Sequence, residues 1–152
     1  MKKYLLTLLL FFGVGVVNAQ PLMRLKARSV LHRTAIAIYG AKKELQADKH
    51  YTGNFARAVA HQRFARRMFL RRNFLRAIHQ SRLARRFAFA LMKENNRPIP
   101  AEWEFTSEEN DIAKDENMSD DDLYREMKSS NNDVKLDDEE LLNADLSDLD
   151  QD

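Results

Sequence analysis

The chain has no cysteine, and after position 20 its only glycines are Gly40 and Gly53. The lack of cysteine excludes disulfides as a source of stability. The scarcity of glycine excludes a glycine-rich loop that could hold a phosphate group. No proline, glycine or acidic residue occurs from residue 55 to residue 93, so a long basic helix is the expected structure of that segment.

Recognisable catalytic and metal-binding patterns are also missing. His61 and His79 are each followed by glutamine, but two such short copies do not establish a repeat. On a straight helix these histidines would lie about 27 Å apart, and no HxxxH or HExxH spacing occurs. The acidic clusters near the C terminus lack the central glycine and terminal glutamate of an EF-hand loop. We therefore expect no metal site, no cofactor and no enzymatic activity.

The first nineteen residues have the pattern of a secretory signal peptide. Lys2 and Lys3 form a basic start, residues 4–17 are uncharged and mostly apolar, and Val17 and Ala19 are small residues before a cleavage site. A membrane-spanning helix needs about 20 residues, and this run has only 14. The sequence predicts an exported protein, periplasmic or secreted, cleaved after Ala19. An uncleaved anchor is the alternative.

Residues 20–100 are the part of the chain that can form a packed domain, and their pattern predicts helices. Residues 21–47 have apolar side chains near one-face helical spacing and begin with a proline, which suits a first helical turn. After a break, Asn54 is predicted to cap a second segment over residues 55–93. A straight helix of that length would measure about 58 Å, so we expect a bend near Asn73 or near residues 80–81.

This second segment is rich in arginine and phenylalanine and has no lysine between residues 55 and 92. Guanidinium groups bind phosphate and carboxylate in a bidentate manner and stack on rings better than ammonium groups do. Arginine interleaved with aromatic residues favours binding of nucleic acid or phospholipid headgroups. The predicted polyanion-binding residues are Arg57, Arg63, Arg66, Arg67, Arg71, Arg72, Arg76, Arg82, Arg85 and Arg86.

The apolar residues of this segment do not lie on a single helical face. Phe64 and Ile78 share one arc of the helical wheel, and Phe69 and Phe74 lie on other sides. Arg71 and Arg82 both fall inside the apolar arc. A helix of this kind needs apolar neighbours on several sides, which favours a bundle or an oligomer. An ordinary solvated arginine face with phenylalanines in the core is the simpler interpretation.

The net charge of the chain is divided between two regions. Residues 20–103 hold 19 Lys and Arg against 4 Asp and Glu, whereas residues 104–152 hold 4 against 19. Low hydrophobicity with high like charge predicts a largely disordered tail, in which residues 119–128 and 137–146 could become helical on binding. We expect the tail to mimic a polyanion within the chain, with Leu141, Leu142 and Leu146 adding apolar contacts. A tail that only solubilises the protein is the alternative.

The sequence therefore predicts an all-α protein with three parts. These are a signal peptide (1–19), a basic helical domain (20–100) that forms a helical hairpin or small bundle with a long Arg-rich helix, and an acidic, largely disordered tail (101–152). The favoured function is that of an exported, non-enzymatic binder of nucleic acid, lipopolysaccharide or anionic lipid, inhibited by its own tail. The alternative is a structural or adaptor protein that forms a homo-oligomer or binds an acidic protein partner.

Overall fold

The computed structural model describes the side chains of residues 20–47, 50–114, 118–130 and 137–150, and a backbone helix that begins at Lys2. All regular structure within these residues is helical, which confirms the predicted all-α class. The helices are α1 (Lys2–Asp48), α2 (Asn54–Leu70), α3 (Phe74–Glu94), α4 (Ser107–Lys114), α5 (Asp120–Ser130) and α6 (Asp138–Leu142). Two short 3₁₀ turns lie at Ala101–Trp103 and Ser147–Leu149. The side chains of the predicted signal segment, residues 1–19, lie outside the described residues.

The body is a three-helix arrangement in which α1, α2 and α3 each pack against the other two. The helix predicted over residues 21–47 is confirmed as part of α1, although Pro21 lies inside that helix rather than at its start. Ala27, Leu31, Ile38 and Leu45, which define its predicted apolar face, are all buried. The one-face spacing of apolar residues therefore identified the side of α1 that packs against the bundle.

The Arg-rich segment is divided into two helices by a turn at Asn73, one of the two predicted bends. The Asn73 N–H donates to the Met68 carbonyl and the Arg72 N–H donates to the Phe69 carbonyl, both at 2.9 Å. These are the two hydrogen bonds of a Schellman C-cap. Arg72 has the left-handed φ of 62° that this motif requires, although glycine usually takes the position.

The described parts of the acidic tail lie against the body. Ile112, Leu123, Met127, Leu141 and Leu149 are all buried. The two stretches predicted to become helical correspond to α5 and α6. Average composition did not reveal this packing because a few regularly spaced apolar side chains are enough to bury one face of a short helix.

Candidate polyanion-binding surface

The ten predicted polyanion-binding arginines occupy three different environments. Arg82 and Arg85 are buried inside the molecule, whereas Arg57, Arg71, Arg72 and Arg86 are exposed. Arg63, Arg66, Arg67 and Arg76 are partly buried. The structure therefore does not bring all ten guanidinium groups to one surface, and each group is best understood from its own contacts.

Arg85 lies on α3 and is fully buried. Its guanidinium group donates two hydrogen bonds to the carboxylate of Glu109, at 2.8 and 3.2 Å. It also donates to Thr34 Oγ1 at 3.0 Å and to the Val30 carbonyl at 3.1 Å. Burial lowers the pKa of Arg85 from its ordinary value, and the hydrogen bonds to Glu109 oppose that shift. Arg85 is thus an internal link between α1, α3 and the tail, with no face left for an external anion.

Glu109 is held in place by the start of α4. The Thr106 N–H donates to Glu109 Oε2 at 2.9 Å, and the Glu109 N–H donates to Thr106 Oγ1 at 3.1 Å. This reciprocal pair is a capping box, whose sequence signature is threonine followed three residues later by glutamate. The sequence alone therefore contains the signal for the start of α4, although the average composition of the tail favours disorder.

Arg82 lies beside this site on the same side of α3. Its Nη2 donates to Asn110 Oδ1 at 3.0 Å, and its guanidinium carbon lies 4.3 Å from the centre of the Phe105 ring. Burial lowers the pKa of Arg82, and a cation over an aromatic ring recovers part of the lost hydration. Arg82 thus also contributes to the binding of the tail to the body.

Three further arginines form ion pairs with the tail at the surface of the molecule. Arg63 donates to both carboxylate oxygens of Asp148, at 2.7 and 3.2 Å. Arg76 pairs with Glu126 at 3.3 Å, and Arg86 pairs with Asp120. In each pair both side chains keep some exposure to solvent, so these contacts resemble the ones that a soluble anion would make.

The C-terminal part of the tail is held by apolar contacts as well as by charge. Leu141, Leu142, Leu146 and Leu149 belong to the same buried cluster as residues of α1, α2 and α3. The Tyr39 hydroxyl donates to the Leu146 carbonyl at 2.8 Å, and the pKa of this hydroxyl is raised by burial and by nearby tail carboxylates. The apolar contacts expected of Leu141, Leu142 and Leu146 are therefore present in the structure.

Asp138 supplies the N-terminal cap of α2 from a distant part of the sequence. Its Oδ2 accepts from the N–H groups of Thr52 and Gly53 at 3.0 and 2.7 Å, and its Oδ1 accepts from Ala56 at 2.8 Å. The prediction that Asn54 caps this helix is wrong because Asn54 is already its first helical residue. The Asn54 side chain donates instead to Glu94.

A buried polar network joins α2 and α3 at the two similar His-Gln sequences. His61 Nδ1 lies 2.7 Å from Gln80 Oε1, and the Ser81 hydroxyl donates to Gln62 Oε1 at 2.9 Å. Because an amide oxygen can only accept, His61 Nδ1 carries the proton. His61 Nε2 is buried with no hydrogen-bond partner among the described residues. The structural role expected for His61 thus consists of linking the two helices.

Four arginines, namely Arg57, Arg66, Arg71 and Arg72, form no ion pair with any acidic residue that the structure describes. The Arg57 guanidinium lies 5.7 Å from the centre of the Phe87 ring. Nearby, the pKa of Arg67 is lowered by burial and by the cations Arg71 and Arg63. The C-terminal half of α2 and the following turn thus carry positive charge that the described tail does not neutralise.

No group of three His, Asp or Glu side chains within the described ranges is arranged to hold a metal ion. Over the same ranges, no helix has both the length and the apolar character needed to cross a bilayer. The arginine-rich surface is therefore the feature on which a functional argument can be built.

Comparison with known proteins gives no further guide to this surface. No family model matches the chain, and neither a curated protein nor a solved structure matches it.

Proposed function

We propose that this protein is an exported, non-enzymatic binder of polyanions, such as nucleic acid, lipopolysaccharide or anionic lipid. Its binding surface is formed by the outer arginines of α2, the following turn and α3, whereas Arg82 and Arg85 stabilise the fold. The observation that carries this proposal is that three outer arginines bind carboxylates of the tail while four others have no acidic partner among the described residues.

The tail is proposed to compete with external polyanions for the arginines that it covers. Ion pairs with solvent access contribute only about 0.2–1 kcal/mol each, so an external phosphate can replace them at little cost. The buried leucines of the tail keep the carboxylates tethered, and a short tether gives an effective concentration on the order of millimolar. Dense polyanions that engage several arginines at once are therefore preferred to isolated anions.

The competition can be tested by neutralising the three covering carboxylates without removing the tail. The variant Asp120→Asn/Glu126→Gln/Asp148→Asn leaves the buried leucines in place. We expect its affinity for single-stranded DNA or lipopolysaccharide to rise about tenfold at low salt, from roughly 0.5 kcal/mol per pair. The gain should shrink as salt rises, because salt screens the internal ion pairs as well.

The matched control changes the same amount of charge elsewhere in the tail. Asp121→Asn/Glu139→Gln/Glu140→Gln neutralises three exposed acids whose side chains form no ion pair with a described arginine. If both variants gain affinity equally, only net charge matters and the tail does not compete for particular arginines. If neither the parent nor the variants bind any polyanion in a salt-dependent manner, the proposed function is wrong.

The adaptor alternative was motivated by the several apolar sides of the Arg-rich segment. In the structure, these sides pack against neighbours from the same chain: Phe64 and Met68 lie in a cluster with Met127, and Ile78 lies with Val30 and Ile112. This pattern favours the polyanion binder over an adaptor. A defined oligomer in light scattering, unchanged by salt, would instead favour the adaptor.

A further inference from the structure

An open groove of about 690 Å³ lies at one end of the bundle, where α1 passes the α2–α3 turn. Arg24, Arg28 and Arg72 line this groove, and no acidic residue lines it among those described. Leu25 and Leu70 line it as well. The groove therefore combines positive charge with apolar surface, which is the combination that an anionic amphiphile requires.

The apolar side chains at this end are unusually exposed. Leu22, Leu25 and Leu70 are 56%, 63% and 71% exposed, the three largest exposures among the large apolar residues that the structure describes. Two of them are three residues apart on α1, and the third ends α2. Exposed apolar side chains gathered in one place, rather than scattered singly, mark an interaction surface.

Arg72 has an unfavourable backbone conformation at the edge of this groove. Its φ of 62° lies in the left-handed region, which disfavours a side chain with a β-carbon. The equivalent C-cap position of α3 is occupied by Asn96, with a φ of 54°, and asparagine tolerates this region better. A strained residue that keeps its guanidinium at a groove points to a role for that group.

We infer that this end of the bundle binds the surface of an anionic phospholipid bilayer. Arg24 and Arg72 contact the headgroup phosphates, and Leu22, Leu25 and Leu70 insert among the upper acyl chains. This inference rests on the proposed binding of polyanions and names the ligand class. Leu22 and Leu25 follow the predicted signal segment, residues 1–19, directly in the sequence, so the proposed export would bring these side chains close to a membrane.

Aliphatic insertion distinguishes a bilayer from nucleic acid as the ligand. Binding of single strands depends on bases stacking on exposed aromatic rings. Phe69 and Phe74 also line the groove, but Phe74 is buried, Phe69 is only partly exposed, and the two rings pack on each other. The most exposed apolar residues at this end are leucines, which cannot stack, and leucine is suited to the boundary between headgroups and acyl chains. Charge complementarity and side-chain type thus point to the same ligand.

The test is flotation with vesicles, using the chain as isolated after expression, with its N terminus established by mass spectrometry. The parent protein should bind vesicles of phosphatidylglycerol mixed with phosphatidylcholine, and should not bind phosphatidylcholine alone. The variant Arg72→Gly should bind about fivefold more weakly, because one cation at an anionic surface contributes about 1 kcal/mol. Its thermal stability should rise, because glycine relieves the left-handed strain.

Two further variants make the result specific. Asn96→Gly makes the same backbone change at the end of α3 and should leave vesicle binding unchanged. Leu25→Ser/Leu70→Ser should weaken vesicle binding at least about tenfold and leave DNA binding unchanged, since a buried leucine contributes about 1.5–3 kcal/mol. Both leucines are exposed in the protein, so folding should not suffer.

The outcomes separate this inference from the proposed function. Binding to DNA without binding to vesicles would overturn the bilayer inference and leave the polyanion function standing. Vesicle binding unchanged in the double leucine variant would overturn insertion, and equal binding to neutral vesicles would overturn the recognition of anionic headgroups. Binding to neither DNA, lipopolysaccharide nor vesicles would overturn the proposed function itself.

Discussion

Arg85 depends on the tail for its charge balance more than any other described arginine does. Its side chain is fully buried, and the only carboxylate with which it pairs in the described structure is that of Glu109, itself 3% exposed. A buried ion pair costs much desolvation to form, and it becomes strongly destabilising when one partner is lost. The pair therefore makes the position of α4 a condition for the stability of the body.

Replacing Glu109 tests this dependence. Glu109→Ala should lower the free energy of unfolding by about 3–5 kcal/mol, because it leaves the Arg85 cation buried without a counterion. The neighbouring Glu108 pairs with Lys26 at 2.9 Å in a solvent-exposed position, so Glu108→Ala should cost only about 0–1 kcal/mol. Urea unfolding measures both values. Equal costs would mean that water reaches Arg85 and compensates its charge.

His61 should make the protein less stable in mild acid. Burial lowers its pKa, whereas the Gln80 hydrogen bond and Asp120 oppose the shift and Arg86 and Arg57 reinforce it. Because the folded pKa lies below the unfolded value of about 6.5, the unfolded state binds more protons as the pH falls. The stability contributed by neutral His61 is complete above about pH 6.5 and is lost toward the lower, folded pKa.

The variant His61→Asn keeps a side-chain donor for Gln80 but removes the titrating ring. We expect its free energy of unfolding to change less with pH than that of the parent between about pH 7 and pH 5. His50→Asn, at an exposed position outside the helices, should retain the parental dependence. Identical pH profiles for the parent and His61→Asn would show that other groups control acid stability.

At the scale of helices, α2 is completed by a residue that lies far away in the sequence. Gly53 precedes the helix with a φ of 79° and cannot provide a side-chain cap. Asp138 accepts three N–H groups at this end and also brings a negative charge to the positive end of the helix dipole. The start of α2 and the position of α6 are therefore coupled.

Asp138→Ala should lower the free energy of unfolding by about 0.5–2 kcal/mol, the usual cost of losing an N-cap. The free energy of unfolding of Asp138→Asn should lie between the values for Asp138→Ala and the parent, since an amide keeps one of the two accepting oxygens. Glu139→Ala, at the exposed neighbouring position, is the control. Hydrogen exchange at the Ala56 amide should accelerate in the alanine variant. Exchange unchanged from the control would show that Asp138 does not cap α2.

At the scale of the whole molecule, the features that could be predicted from the sequence are those that depend on residues close together in the chain. The buried face of α1 and the turn at Asn73 follow from local spacing and local breaks. Glycine inside a helix is destabilising, yet Gly40 lies inside α1, where the Trp103 ring packs against it. A β-carbon at residue 40 would lie 2.1 Å from that ring. Gly40 and Trp103 are far apart in the sequence, so their contact leaves no pattern in the residues around either position.

The structure of the tail could not be predicted because its burial depends on distant partners. Arg63 pairs with Asp148 across 85 residues, and Arg85 pairs with Glu109 across 24. Arg71 and Arg82 both fall inside the apolar arc, but only Arg82 is buried, so the arc alone did not identify the buried arginine. Its acceptor Asn110 could not be identified without the fold. Net charge describes how the tail is attracted to the body, but not which contacts it makes.

Because Asp138 caps α2 from a distant part of the sequence, α2 is completed only after Asp138 has been synthesised. A nascent chain is synthesised from its N terminus, so the body leaves the ribosome before the residues that complete it. At that stage the Gln62 amide in α2 lacks the Leu149 carbonyl as an acceptor, and the Ala56 N–H in the first turn of α2 lacks Asp138. Because these contacts join distant positions, they form slowly. The body therefore stays incomplete until Leu149 has been synthesised, and an incomplete chain is the form that the proposed export through a narrow channel requires.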